Sequence, residues 1–250
     1  MGEGGENMFW KILLAHLLAD FVFQTDWINH RKNKPMVLVL HGGIFLGLAA
    51  LFLASSLSWG FFAGLALVAA LHILIDYCKK RFQKKYQSRQ ATLFLVDQGL
   101  HLGIILGFLV VFDNSGLIDL LQRMEGVVPE ADIFLLVSLP IMIILGGGYF
   151  TGAVCRGFMT QLNNKERPGI DKAGRYIGIL ERSLVLAAVL VGKFEIIGFL
   201  LAAKSIVRYP EIKGDDRGET FFAEYFLVGT LTSLSWAFFG SLLLHRLVDF

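Results

Sequence analysis

Histidine and aspartate recur four residues apart within long apolar stretches of this sequence. The pairs are His16 with Asp20, His72 with Asp76, and, in the reverse order, Asp97 with His101. Residues at positions i and i+4 lie on one face of a helix, so each pair can direct an imidazole and a carboxylate at the same point. Imidazoles and carboxylates bind divalent metals, and imidazoles also relay protons.

A further histidine, His41, and two glutamines extend this pattern. Gln24 lies one turn beyond the first pair, and Gln98 lies inside the third. At about 1.5 Å per residue, most of these groups fall in one layer of roughly 10 Å in the cytoplasmic half of the predicted helices. Antiparallel helices that carry histidine and carboxylate at matched depth can hold a metal in the core of a bundle.

The sequence therefore predicts a site for one or two divalent ions. The candidate ligands are His16, Asp20, His41, His72, Asp76, Asp97 and His101. Gln24 and Gln98 would orient the ligands, and Asp97 or Asp76 would act as the catalytic base. The set contains no thiolate that would select copper. Zn²⁺ is the expected ion, with Mn²⁺ and Fe²⁺ as alternatives. A proton relay and simple hydrogen bonding across helices are the competing interpretations.

The composition indicates that membrane helices position these residues. Hydrophobic residues make up 55% of the chain and charged residues 18%, and several apolar runs approach the roughly 20 residues that cross a bilayer. We expect an all-α, polytopic transmembrane bundle of about eight helices, or seven if 174–208 is partly re-entrant. It would form one membrane domain over 1–250, with a His/Asp half at 8–112 and a second half at 132–247. The predicted spans are 8–28, 36–57, 59–78, 91–112, 132–155, 174–192, 194–208 and 220–247.

Lysine and arginine are concentrated in alternate connections between these spans, which predicts that those connections are cytoplasmic. Both termini are then non-cytoplasmic, in a multi-pass protein of the inner (plasma) membrane. The basic run 79–89 is expected to extend the third helix and to contact anionic lipids rather than nucleic acid. Residues 117–124 are expected to form a short helix on the outer surface. The oligomeric state is left open.

The second half carries charges near the cytoplasmic ends of its spans. They are Arg175, Glu181, Arg182, Lys204, Arg208 and Glu224. They are expected either to snorkel and pair internally or to form a pocket for the phosphate or carboxylate of a substrate, facing the His/Asp layer.

Other small features have structural interpretations. The stripe Gly99, Gly103 and Gly107 predicts close helix packing. Cys78 and Cys155 are expected to be reduced and structural.

The His/Asp motifs, together with Glu181-Arg182, Lys204 and Ala223-Glu224-Tyr225, resemble an uncharacterised bacterial membrane family, domain of unknown function 3307. The resemblance extends over nearly the whole chain and implies a polytopic membrane protein without implying an activity. In residue types alone, the His/Asp pattern is also similar to that of metal-dependent membrane hydrolases.

Three functions are compatible with these observations. The first is a membrane-embedded metal-dependent hydrolase that acts from the cytoplasmic side on a lipid or another phosphate-bearing small molecule. The second is a proton- or ion-coupled transporter that uses the His/Asp layer as a relay. The third is a non-catalytic scaffold or sensor that a metal stabilises.

Overall fold

The computed structural model describes residues 8–32, 34–56, 58–112, 115–125, 132–159, 173–212 and 217–248. Within these ranges the regular structure is entirely helical, which confirms the predicted all-α fold. The α-helices are α1 (Met8–Leu17), α2 (Asp26–Arg31), α3 (Pro35–Phe52), α4 (Trp59–Lys85), α5 (Gln90–Phe112), α6 (Ser115–Glu125), α7 (Ile133–Ile141), α8 (Gly147–Met159), α9 (Ala173–Leu190), α10 (Glu195–Ile212) and α11 (Arg217–Val248). Two π-helical segments, Leu18–Val22 and Met142–Gly146, continue α1 and α7.

Five helical segments in the described ranges are long and apolar enough to cross a membrane. They are Pro35–Phe52, Trp59–Lys85, Gln87–Phe112, Ile133–Phe158 and Glu224–Val248. Large apolar side chains such as Leu67, Val111 and Phe239 are exposed on these helices, as expected where the solvent is lipid. The chain is therefore a membrane protein.

The first predicted span, 8–28, is not one continuous helix. The ten residues of α1 and the five of the π-helical segment rise at most about 23 Å, and regular helix ends at Val22. A new helix, α2, then begins after Thr25, whose side chain accepts a hydrogen bond from Ile28 N at 3.4 Å. Every residue of α1 after Met8 is buried, so protein surrounds this helix on all sides.

The region 174–208 forms two helices, α9 and α10, that turn back on each other at Gly192. The φ angle of Gly192 is 67°, and Lys193 N donates to Ala188 O at 2.8 Å, as in a glycine-terminated helix. Each helix has 18 residues, or about 27 Å, which is long enough to span. Both helices carry too many charged residues to count among the five apolar segments. The number of apolar spanning helices in the described ranges is therefore five, whereas the sequence predicted about eight.

The chain divides into two compact units, each described here by itself. Unit 1 comprises Met1–Tyr86, Thr92–Ile141 and Arg246–Asp249. Within it, α1 packs against α3 and α7, and α3 packs against α4. Unit 2 comprises Gln87–Ala91, Met142–His245 and Phe250, and in it α9 packs against α10 and the second π-helical segment.

Each of three helices of unit 1 carries its predicted ligands on its own buried stripe. On α4 the buried residues are Phe61, Leu65, Val68, Ala69, His72 and Asp76, which recur at the helical period. His41 on α3 and Asp97 and His101 on α5 occupy equivalent stripes. The apolar packing of unit 1 therefore turns these polar groups inward.

Close packing of α3 on α4 depends on Gly42, beside His41. A Cβ at this position would lie within 2.5 Å of Ile73 Cδ1, whereas a Cβ at Gly43 would meet no atom of the described structure within 4 Å. We expect Gly42→Ala to destabilise the protein by about 1–3 kcal/mol through overpacking. Gly43→Ala should be neutral or stabilising by up to about 1 kcal/mol. Thermal unfolding in detergent compares the two, and equal midpoints would contradict this packing.

Other sequence predictions have mixed outcomes. The basic run does extend its helix, since α4 continues to Lys85, and the predicted surface helix is part of α6. The glycine stripe is different: a Cβ at Gly99, Gly103 or Gly107 would meet nothing within 4 Å among the described residues. The prediction of close helix packing there is wrong for the described structure, because these glycines lie on the outward face of α5.

Candidate metal centre

All seven predicted ligands converge in the interior of unit 1. Each is at most 5% exposed. Their helices are α1 with its π-helical extension, α3, α4 and α5. Asp20 lies in the extension, where Phe23 N donates to Leu18 O at 2.8 Å, a π-type bond. π-Helical segments are frequent at functional sites, and here the wider turn sets the direction of Asp20 relative to His16.

Four of the ligands form a compact group, hereafter the quartet: Asp20, His41, His72 and Asp76. His41 Nε2 lies 3.0 Å from Asp20 Oδ1, 3.2 Å from Asp76 Oδ2 and 3.1 Å from His72 Nε2. His72 Nε2 lies 3.5 Å from Asp20 Oδ1 and 3.8 Å from Asp76 Oδ2. The ring of Phe45 stacks on His72 with centroids 5.2 Å apart and covers the apolar side of the group.

The spacing of the quartet matches that of tetrahedral ligands. Bonds of 2.0–2.1 Å to Zn²⁺ place tetrahedral ligand atoms about 3.3–3.4 Å apart, and the five measured separations of 3.0–3.8 Å bracket that value. Hydrogen bonding alone accounts for the contacts poorly. Each hydrogen bond needs a proton, and the two histidine Nε2 atoms carry at most two protons for these five contacts. One cation, by contrast, would be a partner for both nitrogens and both carboxylate oxygens.

His16, Asp97 and His101 lie beside the quartet. The His16 and His101 rings stack with centroids 4.7 Å apart, and the centroids of His72 and His101 are 4.3 Å apart. His101 Nδ1 donates to the backbone carbonyl of Asp97 at 2.8 Å. That bond fixes the tautomer and leaves a lone pair on Nε2, as in histidines oriented for a metal.

The two glutamines connect members of the cluster. Gln98 Nε2 donates to Asp97 Oδ2 at 3.0 Å and to Asp20 Oδ2 at 3.4 Å, and Gln98 Oε1 lies 3.4 Å from His16 Nε2. Gln24 accepts a short hydrogen bond from Lys32 Nζ. Both glutamines therefore hold other polar groups of the cluster in place.

Two lysines belong to the cluster and were not predicted as site residues. Lys32 Nζ donates to Asp76 Oδ2 at 2.6 Å, and both side chains are at most 3% exposed. Lys79 Nζ donates to Asp97 Oδ2 at 2.6 Å. Three aspartates and two lysines give the cluster a charge of −1 when its histidines are neutral, rather than the −3 that the aspartates alone suggest.

The signal for Lys79 was present in the sequence. Lys79 lies three residues after Asp76 on α4, close to the same helix face. Its place in the basic run 79–89 predicts contact with lipid instead. Lys32 gave no comparable local signal, because α2 and a turn separate it from the other site residues.

The charged residues of the second half lie in unit 2, and three of the six are bonded within it. Lys204 Nζ donates to Glu181 Oε2 at 2.7 Å. Buried Arg182 donates through Nε to Ile144 O at 2.6 Å and through Nη1 to Ser233 Oγ at 3.0 Å. Ile144 lies in the second π-helical segment, so Arg182 satisfies a carbonyl there.

The remaining predicted anion ligands are peripheral or undescribed. Arg175 and Glu224 are exposed, and the side chain of Arg208 lies outside the described residues. The predicted anion pocket formed by these residues stays a prediction.

The fold and this cluster define an all-helical membrane protein with a buried His/Asp/Lys centre. Residues 8–125 match the model of a family described as "Protein of unknown function (DUF3307)". The family resemblance is thus confirmed over this segment, which is slightly less than half of the chain. All seven ligands and both lysines lie inside the matched segment. The motifs from Glu181 to Tyr225 lie outside it, so the match is shorter than the motifs suggested. No curated protein and no solved structure matches the chain.

Proposed function

We propose that this protein is a membrane-embedded, metal-dependent hydrolase. The observation that carries the proposal is the quartet of Asp20, His41, His72 and Asp76, whose ligand atoms have tetrahedral spacing in a buried site. Two imidazoles and two carboxylates suit Zn²⁺ best, and Mn²⁺ or Fe²⁺ also fit. A divalent ion held by these four residues would lower the pKa of a water bound as a fifth ligand and so would supply hydroxide near neutral pH.

Asp97 is the best candidate for a general base. Its Oδ2 accepts from Lys79 and Gln98, while its Oδ1 is buried with no hydrogen-bond partner among the described residues. Lys79 therefore binds the carboxylate through one oxygen, and the other oxygen is left to take a proton from water. In this proposal Asp76, the alternative base, serves as a metal ligand.

The proposed substrate is a lipid or another small molecule that bears phosphate. It would enter from the end of the cluster at Lys79, the least buried of the charged groups, with a side chain 18% exposed. This end begins the basic run 79–89, so in our proposal it faces the cytoplasm, with the protein in the plasma membrane and both termini on the other side. Anionic lipids would contact the exposed part of that run.

The test measures metal content and hydrolysis together. We expect detergent-purified protein, prepared without chelators, to contain divalent metal by elemental mass spectrometry and to hydrolyse a phosphate ester. His41→Ala should lower both at least tenfold because it removes a central ligand. His245→Ala, a histidine of α11 outside the cluster, is the matched control and should change neither. Wild-type protein free of metal after zinc dialysis would overturn the proposal.

A proton-coupled transporter is the second candidate. The observation that favours it is the continuous contact between histidine rings, in which His41 Nε2 lies 3.1 Å from His72 Nε2. A proton can pass between nitrogens at this distance. Metal-free protein whose proton flux in liposomes is lost on Asp97→Asn would favour transport over hydrolysis.

A further inference from the structure

Three residues of the cluster lie outside the quartet and have unsatisfied atoms. His16 Nδ1, Asp97 Oδ1 and His101 Nε2 are all buried, with no hydrogen-bond partner among the described residues. Each of these residues is at most 3% exposed. Buried polar atoms nearly always have a partner. An ion in the quartet does not provide a partner for these three atoms.

Two further candidate ligand groups lie beside the quartet. His16, His72 and His101 each offer a ligand atom within 4.8 Å of the others, and so do Asp20, Asp97 and His101. Both groups contain His101, whose Nδ1 proton is already held by the Asp97 carbonyl. Its Nε2 lone pair is therefore free to bind a cation.

Asp20 connects this second group to the quartet. Its Oδ1 lies 3.0 Å from His41 Nε2 in the quartet. Its Oδ2 lies 3.4 Å from Gln98 Nε2 and 4.0 Å from His16 Nε2. A carboxylate whose oxygens belong to two neighbouring ligand groups can bridge two metal ions.

We propose that a second divalent cation binds beside the quartet, held by His101 and Asp97 and bridged to the first ion by Asp20. This inference rests on the proposed metal function and sets the number of ions at two. Lys79 remains on Asp97 Oδ2, while Asp97 Oδ1 would bind the ion, so Asp97 would be a ligand here instead of the general base of a single-ion centre. Two ions joined by a carboxylate form the kind of centre that stabilises both the attacking and the leaving oxygen of a displacement.

The charge of the filled centre points to the class of ligand. Three aspartates, two lysines and two divalent ions sum to +3. A buried charge of this size is unstable unless anions neutralise it. A bound hydroxide and a doubly charged phosphate group together supply −3, whereas a neutral ester or amide supplies no charge. The centre therefore suits phosphate esters.

The experiment counts ions and detects their proximity. Wild-type protein dialysed against Mn²⁺ should bind two ions per chain, with the spin-coupled electron paramagnetic resonance signal of a close pair. His101→Ala should bind one ion and show the signal of isolated Mn²⁺. Inorganic phosphate should change the coupled signal of the wild-type protein. The wild-type count and signal test the proposal even if the variant fails to fold.

The outcomes separate this inference from the proposed function. Two coupled ions in the wild-type protein and one in His101→Ala support the second site. One ion in the wild-type protein, or two in His101→Ala, overturns the second site and leaves a single-metal enzyme. No bound ion overturns both proposals. A coupled signal that does not change when phosphate is added would overturn the assignment of phosphate esters as the ligand class.

Discussion

Asp20→Asn is expected to deprive the protein of both metal ions and of its hydrolytic activity. Asp20 Oδ1 belongs to the quartet, and Asp20 Oδ2 faces Gln98 and His16. The amide keeps the shape of the side chain but has no charge and only one oxygen, so it cannot bridge two cations. We expect bound metal to fall at least tenfold, whereas His101→Ala should lose one ion of two.

The control for this prediction is Asp26→Asn. Asp26 is an exposed residue in the first turn of α2, six positions along the chain, and the chemical change is the same. Both variants should elute as single species in gel filtration, and elemental analysis then compares their metal content. Full metal content in Asp20→Asn would show that the carboxylate is not a ligand.

Lys32→Met is expected to make the stability of the protein depend on bound metal. Lys32 and Asp76 form an ion pair with both side chains at most 3% exposed. Removing one partner of a buried pair lowers the free energy of unfolding by about 3–5 kcal/mol, because it leaves the other charge buried without a partner. In metal-free protein Asp76 loses its nearest cation, so the unfolding temperature should fall sharply. A divalent ion in the quartet restores a counter-charge, so zinc should recover most of the loss.

The matched control for Lys32→Met is Lys84→Met, which removes an exposed lysine near the end of α4. Its unfolding temperature should equal that of the wild-type protein with chelator and with zinc. Unfolding monitored in detergent under both conditions gives four values to compare. An equal loss of stability for Lys32→Met with and without zinc would show that no cation binds next to Asp76.

The spacing of histidine and aspartate was enough to predict which residues meet. Each i,i+4 pair lies on the buried stripe of its helix, so one local rule brings His72 and Asp76, or Asp97 and His101, to the same side. The seven side chains also lie at similar depths along four predicted helices, which predicted that they meet in one cluster. The apolar length of α3, α4 and α5 predicted equally well that these helices cross a membrane.

The parts of the site that local rules missed depend on tertiary contacts. Lys32 and Lys79 lie near helix ends, where basic residues ordinarily set topology, and only the distances to Asp76 and Asp97 reveal their pairing. The π-helical turn at Asp20 has no sequence signature as strong as proline. The sequence predicts a full span for the short α1 because the apolar run continues to Phe23 and apolar residues resume at Trp27, after only three residues.

The burial of α1 has a consequence for biogenesis. The segment Met8–Val22 is too short to be held stably across a bilayer alone, and buried Lys11 would make solitary insertion costlier. Its packing partners α3 and α7 are synthesised later, and α7 follows more than a hundred residues behind. The segment Met8–Val22 is therefore expected to take its place only after these later helices are in the membrane. Because this segment carries His16 and Asp20, the centre is expected to be completed only when it docks.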